Sequence, residues 1–168
     1  MPRRGAWSGY LNASLGRVRQ RGPITGGLFL EDEIADLGSG EEFTPDHDQR
    51  LVVGSGVTWA PDRAGVVVSA TVRHETGTPI EREEEEDALQ DRPGADMADF
   101  DRGRVKPRTV ASIQAQVPIW KRGRTVASIR ASVLNLFNDD YAYNFGNPFS
   151  GTHFGAPRTA SFAVRVRF

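Results

Sequence analysis

Asp46-His47-Asp48 sets two carboxylates around an imidazole, ligand types that suit several divalent ions. Adjacent residues on an extended chain point to opposite sides, so the three cannot converge on one ion without a turn. A structural lead-in to a strand is the expected role. A second acidic run, Glu81-Arg82-Glu83-Glu84-Glu85-Glu86-Asp87, with Asp96, Asp99 and Asp101 beyond it, is rich in the hard oxygens that calcium prefers. It lacks the spacing of an EF-hand loop and reads as a solvated loop. His47, His74 and His153 are scattered, with no nucleophile or paired histidine in their sequence context. Gly26-Gly27 and Gly146-Asn147-Pro148 read as turns, because no strand, glycine loop and helix follow one another as a phosphate cradle requires. These residues predict no catalytic site, no cofactor site and no metal site, and the chain is expected not to be an enzyme. Tyr141, Tyr143, Phe145, Phe149 and Phe154 form an aromatic loop that either contacts a ligand or packs on itself.

Composition narrows the class. The chain has 168 residues, a formal charge of −1 and no cysteine, so it can form neither a disulfide framework nor a thiolate site. Near-neutral charge gives no reason to expect nucleic acid as a partner. No stretch approaches the ~20 apolar residues of a spanning helix, a test that a β-barrel escapes because only alternate residues of its strands face lipid. Met1-Pro2-Arg3-Arg4-Gly5 is basic but no apolar segment follows, so a secretory signal is not expected.

Six segments alternate with a period of two, the signature of strands with two different faces. The first, about 6–19, carries Trp7, Leu11, Ala13 and Leu15 against Tyr10, Asn12 and Ser14. The second, about 49–60, carries Leu51, Val53, Val57 and Trp59 against Gly54, Gly56 and Thr58. The third, about 65–75, opposes Val66, Val68, Ala70 and Val72 to Ser69, Thr71, Arg73 and Glu75. The fourth, about 108–119, opposes Ala111, Ile113, Ala115, Val117 and Ile119 to Ser112, Gln114 and Gln116. The fifth, about 124–137, opposes Ala127, Ile129, Ala131 and Val133 to Ser128, Arg130 and Ser132. The sixth, from about 158, opposes Phe162, Val164, Val166 and Phe168 to Ser161, Ala163, Arg165 and Arg167. In the fifth segment Leu134 and Leu136 break the pattern, so the strand either leaves the apolar zone there or contains a bulge.

The connections alternate in length. Pro61-Asp62-Arg63-Ala64 and Lys121-Arg122-Gly123 are short. The other three, at about 20–48, 77–107 and 138–157, exceed the usual ceiling of about 12–15 residues in compact domains. Short turns on one side and long loops on the other are the habit of transmembrane barrels. An up-and-down order places Trp7, Trp59 and Trp120 at the short-turn rim, where Trp favours a membrane interface, although Trp120 is out of step with the apolar residues of its strand. The expected fold is therefore all-β: an antiparallel up-and-down meander of about six strands belonging to a transmembrane β-barrel.

Asn135-Leu136-Phe137-Asn138 with Tyr141, then Gly155-Ala156-Pro157-Arg158, then a strand ending at Phe168, resemble the C-terminal end of TonB-dependent outer-membrane receptors. Pro45 to Arg50 is similar to that family's lead-in to a strand. The resemblance implies that residues 1–168 are the C-terminal segment of a receptor barrel in the outer membrane of a Gram-negative bacterium. The parent would take up a scarce nutrient (an iron chelate, cobalamin or a glycan) with energy passed from the inner membrane. It implies that Phe162, Val164, Val166 and Phe168 form the signal read by the barrel-insertion machinery. It implies as partners outer-membrane lipid, the remaining strands, a plug domain and, through the plug, TonB.

Such receptors have about 22 strands around a plug, whereas this sequence carries six strands, no plug-like region and no TonB box. An open segment of a larger barrel, not competent for transport alone, is the expectation. The alternatives are a self-standing soluble β-sandwich binding module and a small barrel closed by several copies.

Overall fold

The computed structural model describes residues 5–22, 42–45, 47–61, 65–80, 89–147 and 151–167. Six strands form one antiparallel sheet in chain order: β1 (Trp7–Leu15), β2 (Leu51–Trp59), β3 (Val67–Glu75), β4 (Arg108–Arg122), β5 (Thr125–Leu134) and β6 (Thr159–Arg167). This is the expected meander, and it is open: β1 and β6 are its two edges. The register makes the alternation of each strand coincide with that of its neighbours. Trp7 faces Trp59, Trp59 faces Val68, Val68 faces Ala115, Ala115 faces Ala131 and Ala131 faces Phe162. A one-residue slip at any pairing would exchange the two faces of every strand beyond it.

One register shift interrupts the sheet. Between Pro118 and Trp120 the partners step from Ser128 to Ala127, leaving Ile119 as an extra residue on β4. This bulge turns Trp120 into the row of Ala127 and Val166, on the apolar face. The sequence reading of Trp120 as out of step is corrected by it. At the far end of β5 the pairing runs unbroken to Leu134 opposite Thr159, and Asn135 then takes a left-handed φ of 51°. The displaced leucines thus mark the end of a strand and not a bulge within it. β1 likewise stops at Leu15, short of the expected Arg19.

The ends of the sheet differ. Gly123, with φ +59°, sits at the tip of the two-residue β4–β5 hairpin, at the central position where a positive φ favours glycine. At the opposite end the long connections are built from short ribbons: Gln20–Arg21 with Glu42–Phe43, Ala98–Asp99 with Arg104–Val105, and Ala142–Asn147 with Gly151–Phe154. The buried hydrophobic cluster lies here. Ile80, Leu89, Ala98, Val105, Ala142 and Phe145 pack together with Ala95, Met97 and Phe100 against them. Phe145 is 1% exposed and meets Phe100 edge to face at 6.0 Å between centroids. The apolar core of the described molecule is therefore in the loops, and the sheet contributes almost nothing to it.

Candidate functional site

The sheet presents two surfaces of different chemistry. On one, Leu11 is 71% exposed, Phe162 79% and Val164 70%, and Val57, Val72, Val117 and Ile129 continue the patch across the middle strands. The sequence-predicted residues of this face that fall within the strand registers lie on it, with Trp7, Trp59 and Trp120 at the short-turn end, while Val66 precedes β3 and Ile119 is the bulge residue. Trp7 and Trp59 face each other with ring centroids 6.4 Å apart. Phe162, Val164 and Val166 stand on the same face of β6, all exposed, while Phe168 lies outside the described residues. At the loop end the apolar columns give way to polar groups, as where His74 Nδ1 and Thr109 Oγ1 meet at 2.8 Å.

The other surface is hydroxylic and cationic. Register aligns Ser8, Thr58, Ser69, Gln114, Ser132 and Ser161 in one row across all six strands. The Thr58 and Ser69 hydroxyls are 2.9 Å apart, and those of Ser132 and Ser161 2.7 Å apart. Arg130 donates to Gln116 Oε1 at 3.0 Å. Tyr10 lies over Gly56 so closely that a Cβ there would meet its ring. Such a surface is stable against water or a polar partner and costly against hydrocarbon.

Where the sheet meets the loops, ion pairs hold the cap. Asp48, wholly buried, accepts from the Val18 amide at 2.8 Å, from Arg104 Nη1 at 3.1 Å and from Arg50 Nε at 3.2 Å. Arg104 also donates to the carbonyl of Asp48 and, through Nε, to that of Gly77 at 2.9 Å. Burial alone would raise the Asp48 carboxyl; the amide and the two guanidinium groups outweigh it and hold the pKa below the usual value. The Asp46-His47-Asp48 stretch thus supplies a structural ion pair through Asp48, with Asp46 outside the described residues. A second pair joins Arg108 to Glu75, which also accepts from Arg73 Nε at 2.9 Å. The Arg108 guanidinium stands 4.5 Å from the Tyr143 ring centroid and 5.8 Å from that of Tyr141. Burial, with a hydrogen bond to Tyr143, pushes the Tyr141 phenol up to about 12. Of the aromatic loop, Tyr141, Tyr143 and Phe145 pack within the cap, and Phe149 lies outside the described residues.

The two C-terminal motifs form a clasp. Asn135, 3% exposed, donates from Nδ2 to the carbonyls of Asp139 at 2.9 Å and Ala156 at 3.0 Å, and its Oδ1 accepts from the Asp139 amide at 3.1 Å. Asn138 Oδ1 accepts from the Arg158 amide at 2.9 Å, and the Gly155 amide donates to the Tyr141 carbonyl at 2.7 Å. A Cβ on Gly155 would fall inside the Tyr141 ring. Asn135 to Asn138 and Gly155 to Arg158 therefore meet across the stem of the last loop and aim β6 back along β5. The sequence marked both motifs but not their contact, since the partners lie some 20 residues apart with no periodicity to link them.

Among the described residues no three His, Asp or Glu side chains converge as metal ligands, and the acidic run at 81–87 lies outside them. Comparison with protein-family models, with curated proteins and with solved structures finds no match.

Proposed function

We propose that the chain is a wall segment of a transmembrane β-barrel, and that its parent is a TonB-dependent outer-membrane receptor for active uptake of a scarce nutrient. The observation that carries the membrane reading is the exposed apolar face. Moving each of its large side chains out of water is worth roughly 1.5–3 kcal/mol. Five or six of them left in water would forfeit about as much as the whole stability of an ordinary domain, ~5–15 kcal/mol. A soluble sandwich would need a second layer over that face, and no described element covers it. Five of the six strands are 9 or 10 residues long. That is the length a tilted strand needs to cross a bilayer, about 9–11 residues. The clasp supports the narrower reading, because it joins the two motifs whose resemblance is to the receptor family.

In this reading the hydroxylic surface lines the lumen and the loops form the mouth. The two open edges pair with further strands, since unpaired backbone is untenable in hydrocarbon. No step of covalent chemistry is assigned to the chain. Flotation of the purified chain with phospholipid vesicles, beside sedimentation in plain buffer, tests the membrane reading. Lipid-dependent recovery from aggregate is expected; a soluble monomer that unfolds cooperatively without lipid would overturn it. Coding sequence in frame beside the gene tests the family reading: more amphipathic strands and a plug are expected, and an unrelated soluble domain would count against it.

A further inference from the structure

The near-zero net charge conceals a sharp division. Every described Asp and Glu lies at the loop end or in the loops. The short-turn end, among the described residues, carries only cations: Lys121, Arg122, Arg124, Arg165 and Arg167. All five are exposed, and none is in an ion pair with a described residue.

The bulge at Ile119 sorts them by face. Trp120 pairs with Ala127 on the apolar side, so Arg122, opposite Thr125, continues the same column one step further. Read toward the turn, the apolar column of β4 runs Ala115, Val117, Trp120, Arg122, and Arg124 follows at the hairpin tip. Lys121, opposite Val126 and in line with Arg167, falls on the polar side with Arg165. Trp120 is 49% exposed beside this cationic tip. An apolar column, then an indole, then guanidinium groups is the order of layers in a bilayer surface: hydrocarbon, interface, phosphate. Guanidinium also matches phosphate oxygens with paired donors.

We propose that Trp120, Arg122 and Arg124 form a binding site for the headgroup of an anionic phospholipid at the short-turn rim. The occupant is a lipid and not a free anion because Trp120 and Arg122 continue the apolar column on its own face, with Arg124 beside them at the hairpin tip. The inference rests on the membrane reading of the sheet. Lys121, Arg165 and Arg167, turned to the other surface, take no part.

The full chain in neutral-detergent micelles, with Trp7→Phe and Trp59→Phe leaving Trp120 as the reporter, allows a direct test. Brominated phosphatidylglycerol and brominated phosphatidylcholine are added separately and Trp120 quenching is followed. Phosphatidylglycerol is expected to act at about one thirtieth of the phosphatidylcholine concentration, because two basic residues each favour the anionic headgroup. Arg122→Gln/Arg124→Gln removes that preference, and Arg165→Gln/Arg167→Gln, with the same loss of charge, keeps it. Equal quenching by both lipids overturns the headgroup site but leaves the membrane reading standing. No quenching by either lipid overturns both. Loss of the preference in the Arg165/Arg167 variant, or its abolition by millimolar inorganic phosphate, overturns the assignment to an outward lipid site.

Discussion

Asn135 does the work of three backbone groups from a position with positive φ. Its side chain satisfies the carbonyls of Asp139 and Ala156 and the amide of Asp139, and truncation removes all three hydrogen bonds at once. Asn135→Ala is expected to destabilise the loop stem by about 1–3 kcal/mol, and the left-handed conformation adds to the cost. Hydrogen exchange in detergent should show the Asp139 and Arg158 amides losing protection while the middle of β3 keeps its own. Asp48 supplies a pH dependence of known sign. Its pKa is depressed by folding, so its contribution is complete above the ordinary carboxylate range and lost as pH falls through the depressed value. The Val18 amide, which donates to this carboxylate, should begin to exchange faster below about pH 4. Asp48→Asn should abolish that pH step and leave exchange fast throughout; an unchanged step in the variant would assign it to another carboxylate.

The strands are the level at which the sequence was most legible. A period of two requires no long-range information, and each strand could be read from its own residues. The correct face for Phe162, Val164 and Val166 followed directly. Trp120 did not, because a bulge is a property of a pair: one extra residue on β4 shows only against the partner strand. The ribbons and buried cluster of the cap were invisible for a related reason. Residues such as Leu89, Val105 and Phe145 converge from separate loops and carry no repeating spacing. Of the aromatic loop residues, Tyr141, Tyr143 and Phe145 pack within the cap, and of the acidic ones Asp99 pairs locally with Arg102. An element-level prediction separates the two faces of β6. Val164→Arg places a charge on the apolar face, and the cost near a bilayer midplane is ~2–4 kcal/mol. Ser161→Arg places the same charge on the polar face. Flotation with vesicles should fall sharply for the first variant and little for the second; equal loss would mean that the faces are not distinguished by lipid.

At the scale of the whole molecule, the division of labour is unusual for a chain of this size. Apolar burial is concentrated in the cap, while the sheet holds together through backbone ladders and exposes its apolar face. Such a sheet depends on its surroundings twice over. In the proposed barrel, lipid covers one face and other strands meet the unpaired backbone of β1 and β6. The second requirement survives in detergent, which covers side chains but supplies no matching ladder of donors and acceptors. The isolated chain should therefore associate edge to edge. Sedimentation in neutral detergent should show multiples of its 18.4 kDa mass, and exchange should be slower at β1 and β6 in the associated species than after dilution. A uniform monomer with both edge strands protected would mean that the edges close on each other, and the six strands would then be a complete small barrel in place of a segment of a larger wall.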